Sequence, residues 1–348
     1  MDNEQEKPLI SVIILNYNAG DLLKNCVNSV FESNYENFEV IVVDNVSTDD
    51  SHKKCKERFE KIQLIENSEN FGYCEGNNIG IKKSKGEYIV ILNPDTIVNS
   101  DWLEKLFEAY KKNGEGLYQP KLLTLFDKKR INSLGNMINI FGFGYSKGKG
   151  TIDKDELNEI EEIGYASGAC LFTSKTILEK VGFFDSFLFA YHDDLDLGWR
   201  AHHLGIKSYI VSTAIVFHAE SFSFKWSKKK FYLLERNRWY CLLTHYSRRT
   251  FFKILPSLIL IEIIVFFYYI SKGMIKEKIL GYSNLIANRK LIQKKYHELE
   301  SKKKIPDSIL VKNFQDKIEA PKEISGTINS SFFNSMLKGL SKLSRLIL

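Results

Sequence analysis

Three aspartates fall within four positions in the segment FLFAYHDDLDLGWR, at Asp193, Asp194 and Asp196. Large apolar side chains precede this cluster, and burial among such side chains raises the pKa of a carboxyl group. The acids could cap a helix, and Asp196 has the i,i+4 spacing to pair with Arg200 on a helix surface. That explanation leaves two adjacent acids unexplained. A carboxylate of raised pKa near a hydroxyl can act as a general base, so the pair is a catalytic candidate.

A second group of polar residues follows four apolar segments in the first third of the chain. The segments are LISVIIL, FEVIVV, IQLIE and EYIVIL, which predict strands buried on both faces. Predicted helices separate them, so we expect a doubly wound α/β fold with a mainly parallel sheet flanked by helices. Ligands of such sheets bind beyond the carboxyl ends of the strands. The candidates at these ends are Asn16, Asn18, Asp44, Asn45, Asn70, Gly72, Gly76, Asn77, Asn93 and Asp95.

Each of these positions also has a structural explanation. Asp44 could accept hydrogen bonds from ribose hydroxyls or a base edge, but Asp-Asn is also a common turn pair. The segment NFGYCEGNN could present its glycines and a helix N-terminus to phosphate, although it is neither G-x-G-x-x-G nor a Walker A loop. Asp95 could bind a hard cation such as Mg²⁺ or Mn²⁺, or it could cap the helix that follows.

The middle of the chain has a different character. Residues 117–145 are rich in Gly, Asn and aromatic residues and predict strands and loops. A further strand over 162–172 contains the small residues Gly168 and Ala169 and lies upstream of the aspartate cluster. The helix that carries the cluster is expected to end at Gly205, and the next strand segment ends on His218. Imidazole is a common metal ligand, but a histidine at a strand end can also be structural.

The order of these motifs along the chain resembles one known family. The chain runs SVIILNYNAG, VVDNVSTDDS, NFGYCEGNNIGI, LNPDT, GACLF and DDLDLGWR, and then a strand that ends in histidine. The set is similar to the family 2 glycosyltransferases with the Rossmann-like GT-A fold, especially their non-processive, rhamnosyltransferase-like members. The resemblance extends from about Leu9 to Tyr240. No Q-x-x-R-W motif is present, which favours transfer of one sugar over processive polymerisation.

The resemblance implies a role for each candidate. Asp194 would be the general base of an inverting transfer, and Asp193 would support it. Asp95 would bind a divalent cation, Mg²⁺ or Mn²⁺, as part of the family's D-x-D element, with His218 as a further metal ligand. The implied nucleotide-sugar-binding set is Asn16, Asn18, Asp44, Asn45, Asn70, Gly72, Gly76, Asn77 and Asn93. The implied acceptor side comprises Trp199, Arg236, Arg238 and Trp239.

The implied enzyme is a hexosyl- or deoxyhexosyltransferase of cell-envelope polysaccharide biosynthesis. It would move one sugar from a UDP-, dTDP- or GDP-linked donor to a hydroxyl of a glycan or lipid-linked glycan. Two departures from the family pattern leave an idle nucleotide-sugar-binding scaffold as an alternative, because Asn93 replaces the first acid of D-x-D and Asp193 replaces a glutamate. A sugar-1-phosphate nucleotidyltransferase is disfavoured, because NYNAG stands where that class has a glycine-rich loop.

Composition indicates a globular protein and excludes other classes. Of the 348 residues, 44% are hydrophobic and 26% are charged, and the net charge is +6. The positive charge is local, since residues 225–253 hold nine Lys and Arg against one acid. A general nucleic-acid binder spreads its basic surface more widely, so no nucleic-acid partner is expected. Five scattered cysteines and an N-terminus without an apolar signal region favour reduced thiols in the cytoplasm.

A long apolar segment follows the basic stretch. Residues 254–270 number 17, are flanked by basic residues at both ends, and contain Glu262 near the middle. The positive-inside rule keeps both ends in the cytoplasm. We therefore favour a shallow or re-entrant anchor, with a single span and a buried core or dimer helix as alternatives. The expected membrane contact covers residues 225–278, at the inner face of the cell membrane.

These features predict two domains. Residues 1–245 would form the GT-A catalytic domain, with a nucleotide-sugar half over about 1–115 and an acceptor half over about 116–245. Residues 246–348 would form a helical, membrane-associating region. A homodimer is a further expectation that the apolar helix allows.

Overall fold

The computed structural model describes residues 7–220, 227–319 and 330–348. In the first third of the chain, apolar runs form buried strands and amphipathic runs form the helices that cover them. The elements there are β1 (Ile10–Asn16), α1 (Asp21–Phe31), β2 (Phe38–Asp44), α2 (Ser51–Arg58), β3 (Gln63–Glu66), α3 (Gly72–Lys83), β4 (Tyr88–Leu92), β5 (Thr96–Val98) and α4 (Trp102–Asn113).

One boundary differs from the sequence prediction. The glycine- and asparagine-rich segment is helical from Gly72 onward, so Gly76 and Asn77 lie inside α3 and not in a loop before it. Gly76 and Gly80 both lie in this helix, and because they have no side chains they let α3 pack directly on β1. A Cβ at Gly76 would come 2.5 Å from Leu15, and one at Gly80 would come 2.4 Å from Ile13. These glycines serve close packing of the helix on the sheet.

The middle of the chain adds shorter strands and three helical segments. They are β6 (Gly116–Thr124), β7 (Ile131–Ser133), β8 (Asn136–Ile138), β9 (Gly144–Ser146), β10 (Ile160–Ile163), β11 (Cys170–Ser174), α5 (Lys175–Val181), a 3₁₀ turn (Ser186–Leu188), α6 (Asp193–His203) and β12 (Lys207–His218). The predicted strands over 38–43 and 88–92 and the strand ending on His218 are confirmed.

One sheet joins the two halves. Its order is β10-β12-β6-β11-β4-β1-β2-β3, with β5 paired to β12 and β7 paired to β6. Pairing is parallel between β4, β1, β2 and β3 and between β6 and β12, whereas β11 runs antiparallel to both of its neighbours. The fold is thus α/β with a central sheet flanked by helices, as expected, and the carboxyl ends of β1, β2, β3 and β4 share one edge. The two antiparallel contacts of β11 were not predicted.

The C-terminal part is helical, as predicted. It comprises α7 (Lys228–His245), α8 (Arg248–Ser271), α9 (Ile275–Ala287), α10 (Arg289–Lys302), α11 (Asp307–Leu310), a 3₁₀ turn (Val311–Asn313) and α12 (Ser330–Ile347). Within the described ranges, α8 is the one helix long and apolar enough to cross a membrane, and 33% of its apolar window is buried against the protein. The five cysteines are buried free thiols.

Candidate active site

A cavity of about 410 Å³ opens at the carboxyl-end edge of the sheet. It is lined by residues from both halves of the chain, because β11 pairs with β4 and β12 pairs with β5. Eight of the predicted site residues line it together, namely Asn45, Asn70, Gly72, Asn93, Asp95, Asp193, Asp194 and His218. Residues that lie far apart in the sequence therefore converge on one cavity.

Asp95 and His218 form one wall of this cavity. Strand β5 pairs with β12 so that His218 lies opposite Thr96, and the Ala219 N–H donates to the Asp95 carbonyl at 2.9 Å. The side chains therefore meet, with the Nε2 of His218 3.3 Å from the Oδ1 of Asp95, and both residues are buried. A carboxylate oxygen and an imidazole nitrogen at this separation are suitable donors for one divalent cation.

Asp194 lies on the opposite wall, in the first turn of α6. Its Oδ2 accepts the backbone N–H of Gly168 at 3.2 Å, and its Oδ1 accepts the N–H of Leu195 at 2.8 Å. Burial raises the pKa of Asp194 to about 6, although the bond from Gly168 opposes the rise. Burial, and next the neighbouring charge of Asp194, raise the pKa of Asp193 well above its usual value. One of the pair can thus be ionised while the other holds a proton.

The third acid of the cluster has a structural environment. Burial alone would raise the pKa of Asp196, but Arg200 and His245 outweigh that effect and lower it. Arg200 donates to the Oδ2 of Asp196 at 2.9 Å, and His245 Nε2 lies 2.8 Å from the Oδ1. The predicted pairing of Asp196 with Arg200 is confirmed, but both residues are buried and do not lie on the helix surface as expected. Cys241 lies within 4.8 Å of this group, but the guanidinium already occupies the carboxylate, so it is unsuited to a cation.

The loop before Asp193 has a strained backbone that α7 holds in place. Phe189, Tyr191 and His192 all have φ between 60° and 66°, a backbone region that residues other than glycine rarely adopt. Asn237, fully buried in α7, donates its side-chain amide to the carbonyls of Leu188, Ala190 and Tyr191 at 2.7–3.0 Å. No local sequence pattern predicts this role. The only available signal was a neutral polar residue between the arginines of the RNR run.

Arg236 adds to this support and does not line the cavity. Its Nη2 donates to the carbonyls of Phe187 and Leu188 at 2.8 and 2.9 Å. The expected acceptor contact of Arg236 is therefore replaced by a contact to the loop that precedes the aspartate pair. From the other side, the N–H groups of Tyr73 and Cys74 donate to the Phe189 carbonyl.

The other predicted acceptor residues also lie away from the cavity. Trp199 is fully buried and stacks on His245, with ring centroids 4.7 Å apart, so its predicted acceptor role is corrected to a core position. Arg238 pairs with Glu235 and Glu262 at 2.9 and 2.6 Å. The indole N–H of Trp239 donates to the same two glutamates. An aromatic or basic residue type alone could not separate these internal contacts from an acceptor surface.

Asn16 and Asp44 belong to a buried hydrogen-bond network, whereas Asn18 makes its contact at the exposed surface. Asn16 donates to the Oδ1 of Asp44 at 2.8 Å, and the Ser47 N–H donates to the other oxygen of Asp44. The Oδ1 of Asn18 accepts the N–H of Thr48 at 2.7 Å. Asn77 donates to its own helix at the Tyr73 carbonyl, and Gly76 packs against β1. None of these five predicted residues lines the cavity, whereas Asn45 and Asn70 do.

Other cavity residues were not predicted from the sequence. They are Leu15, Tyr17, Tyr73, Pro94, Gly144, Tyr165, Ser167, Gly168, Ala169, Phe189, Ala190, Tyr191, His192, Leu195, Glu220, Lys230 and Leu234. Tyr17, Tyr73 and Pro94 lie within motifs that had been singled out, and Glu220 lies two positions after His218. Most of the others also lie in motifs named above, such as GACLF for Gly168 and Ala169 and FLFAYHDDLDLGWR for residues 189–192 and Leu195. Lys230 and Leu234, on α7, are brought to the cavity by the tertiary fold.

A solved structure with the same fold supports this architecture. The crystal structure of GalNAc-T7 with UDP, GalNAc and Mn²⁺ superposes with a TM-score of 0.59 at 14% identity. The match covers 73% of this chain and 52% of that chain. At this identity the likeness establishes the fold, which is GT-A.

Sequence comparisons identify the family. Residues 11–182 match the model for glycosyl transferase family 2. A low-salt glycan biosynthesis hexosyltransferase, Agl10, of Haloferax volcanii is 24% identical over 205 residues, which cover 57% of this chain and 63% of that protein. Glycosyltransferase GlyG of Streptococcus pneumoniae is 35% identical over 107 residues, covering 30% and 36%. The chain thus belongs to glycosyltransferase family 2, and it spans less than two thirds of the length of these relatives.

Proposed function

We propose that this protein is an inverting glycosyltransferase that uses a divalent cation and Asp194 as its general base. It moves one sugar from a nucleoside-diphosphate sugar to a hydroxyl of a glycan or lipid-linked glycan. One observation carries the proposal. A carboxylate whose pKa burial raises to about 6 and a carboxylate–imidazole pair suited to a cation line the same cavity. Family membership supports the reaction class.

The residues on the Asp95 wall fit a divalent cation. The Asp95 Oδ1 and the His218 Nε2 lie 3.3 Å apart with both side chains buried, and few other protein donors are needed when substrate phosphates complete the shell. Asn93 supplies no charge in this arrangement, so the protein contributes one carboxylate. A cation bound there would neutralise the negative charge that develops on the departing nucleoside diphosphate.

Asp194 takes the proton from the acceptor hydroxyl. Near pH 7 a carboxyl group with a pKa of about 6 is mostly ionised, yet it is a stronger base than an exposed aspartate. The N–H groups of Gly168 and Leu195 hold its two oxygens in a fixed direction. The hydroxyl attacks the anomeric carbon opposite the leaving group, so a single displacement inverts the configuration. Asp193, whose pKa burial and the neighbouring Asp194 charge raise well above its usual value, supports the site beside the base.

The donor lies on the side of the cavity formed by β1, β2 and β4. Asn45, Asn70, Asn93 and the backbone at Gly72 line that side, and the missing side chain at Gly72 lets Phe189 pack against it, since a Cβ there would lie 2.5 Å from Phe189. The Asn16–Asp44 network supports this wall from behind. Residues 1–115 therefore act as the nucleotide-sugar half and residues 116–245 as the acceptor half.

Residues 246–348 act as the membrane-associating region. The α8 apolar face consists of exposed Phe252, Ile259, Leu260, Ile263, Phe266, Phe267 and Ile270. Glu262 points the other way, towards Arg238, Lys278 and Tyr282, which removes the cost of placing its charge in lipid. One side of α8 thus packs against the protein, and the other side is exposed and apolar. This arrangement is suited to an interfacial anchor.

This anchor holds the enzyme at the inner face of the cell membrane, where lipid-linked acceptors lie. Exposed Arg248, Arg249 and Lys276 flank the apolar segment 254–270 and favour anionic head groups. Residues 225 and 226, at the start of the expected contact surface, lie outside the described residues.

A thermal-shift panel of UDP-, dTDP- and GDP-sugars, each with and without Mn²⁺, tests the proposal. A ligand at a hundred times its Kd stabilises a protein by about 2.7 kcal/mol, so one nucleotide series should raise the Tm only when Mn²⁺ is present. Asp95→Ala and His218→Ala should lose the metal dependence. A cation-independent shift that these variants keep would contradict the cation site, and no shift with any donor would contradict nucleotide-sugar binding itself.

A further inference from the structure

A chain of side-chain contacts runs away from the Asp95–His218 pair on its outer side. The Nδ1 of His218 lies 3.1 Å from the Oδ1 of Asn132, which is on β7. The Nδ2 of Asn132 donates to the Oε2 of Glu220 at 3.0 Å, and Glu220 is paired with Lys149. Asn132 and His218 are both buried, so water does not substitute freely for these contacts.

The carboxylate of Glu220 decides how Asn132 is oriented. An ionised carboxylate only accepts hydrogen bonds, so the amide must turn its NH₂ group towards Glu220. The amide oxygen of Asn132 then faces His218, and an oxygen in that position only accepts. The proton on the imidazole ring must therefore be on Nδ1, which leaves Nε2 as the nitrogen that faces Asp95.

We propose that Asn132 is a positioning residue that keeps His218 with its proton on Nδ1 and its Nε2 lone pair directed at the cation site beside Asp95. The inference rests on the proposed function, since it concerns the ligand state of the proposed cation site. A hydrogen-bond partner on the nitrogen that does not bind the metal fixes the tautomer and the ring orientation of a ligating histidine. Without Asn132, the ring can carry its proton on Nε2 and donate a hydrogen bond from there to the Asp95 carboxylate. The Nε2 atom and the Asp95 oxygen would then be bonded to each other, and neither would be free to bind the cation.

Two variants separate this role from simple packing. Asn132→Leu keeps a buried side chain of similar size but removes the acceptor for Nδ1–H. The double variant Asn132→Asp/Glu220→Gln restores an acceptor towards His218 at unchanged net charge, because the carboxylate and the amide exchange places. Free Mn²⁺, measured by electron paramagnetic resonance, gives the affinity for Mn²⁺ alone.

We expect Asn132→Leu to bind Mn²⁺ about 10- to 100-fold more weakly than the unmodified protein. This is the usual effect of losing the hydrogen-bond partner that orients a metal-binding histidine. The exchanged pair should stay within about threefold of the unmodified protein. Unchanged affinity in Asn132→Leu, or an exchanged pair as weak as Asn132→Leu, would overturn the proposal.

Two further measurements make the result specific. Long-range ¹H–¹⁵N NMR of the unmodified, metal-free protein should show His218 with the proton on Nδ1, and a neutral ring protonated on Nε2 would overturn the inference whether or not any variant folds.

Asp95→Ala and His218→Ala report on the proposed function instead. If these two bind Mn²⁺ as the unmodified protein does, or if the unmodified protein binds none, the cation site itself fails. If they lose Mn²⁺ while Asn132→Leu keeps it, only the role of Asn132 fails.

Discussion

The backbone N–H of Gly168 donates a hydrogen bond of 3.2 Å to the Oδ2 of Asp194. This contact joins the loop before β11 to the first turn of α6, and it fixes the direction of the proposed base. A Cβ at Gly168 would lie 2.6 Å from the hydroxyl of Tyr73, so the small residue is needed for this close approach. The bond favours the ionised carboxylate, but burial outweighs it, and the pKa of Asp194 remains raised.

The first prediction concerns the pH dependence of the reaction. Because Asp194 must be ionised to accept a proton, we expect kcat/KM to fall tenfold per pH unit below about pH 6. The profile should be measured as nucleoside diphosphate release at saturating Mn²⁺ between pH 5 and pH 8. A profile that stays flat down to pH 5, as expected for an exposed aspartate that titrates near pH 4, would contradict the assignment.

A second prediction concerns the stability cost of the same group. A raised folded-state pKa means that the folded protein binds the proton more tightly than the unfolded chain, so ionised Asp194 destabilises the fold above about pH 6. We expect Asp194→Asn to raise the free energy of unfolding by about 3 kcal/mol at pH 8 and to give no gain below about pH 4. Urea unfolding at both pH values tests this, and a destabilised variant at pH 8 would contradict it.

A third prediction tests the support of the strained loop. Asn237→Asp keeps the shape of the side chain but removes the donor to the carbonyls of Leu188, Ala190 and Tyr191. We expect a loss of about 3 kcal/mol in the free energy of unfolding, because buried groups are left unpaired. The matched control is Asn28→Asp on the exposed face of α1, which should change stability by less than about 0.5 kcal/mol. Equal effects of the two changes would refute the role of Asn237.

A fourth prediction concerns the α8 apolar face. Phe266→Glu/Phe267→Glu places two charges on that face, and we expect at least a tenfold fall in binding to anionic phospholipid vesicles. Phe126→Glu, at a residue that is 84% exposed outside α8, is the matched control and should bind as the unmodified protein does. Co-sedimentation with vesicles measures both. Full retention of the double variant on vesicles would mean that this face is not the membrane contact.

The sequence predicted most of the fold because its signals are local. The apolar runs that form β1, β2 and β4 and the residues at their carboxyl ends follow from periodicity and parallel topology alone. The antiparallel insertion of β11 between β4 and β6 depends on pairing between distant segments, for which no local pattern exists. Asn45 and Asn93 directly follow β2 and β4 and line the cavity, whereas Asn16 and Asp44, the last residues of β1 and β2, do not.

Predictions were weakest for the basic and aromatic residues of α7. Arg238 and Trp239 have the residue types of an acceptor surface, but their partner is Glu262, a residue of α8 that the sequence presented only as a charge in an apolar helix. A buried ion pair between two helices leaves no periodic signal in either helix. The same holds for Asn132, whose importance depends on a contact with a strand end far along the chain.

The most direct test of the central claim is the release of nucleoside diphosphate by the unmodified protein and by Asp194→Asn. Each would be assayed with Mn²⁺ and the donor that the thermal-shift panel selects, and nucleotide affinity would be measured in parallel. The account predicts that turnover falls by a factor of about 10² to 10⁴ in Asp194→Asn, while the affinity for the nucleotide is unchanged. Equal turnover in the two proteins would show that Asp194 is not the base and would contradict the account.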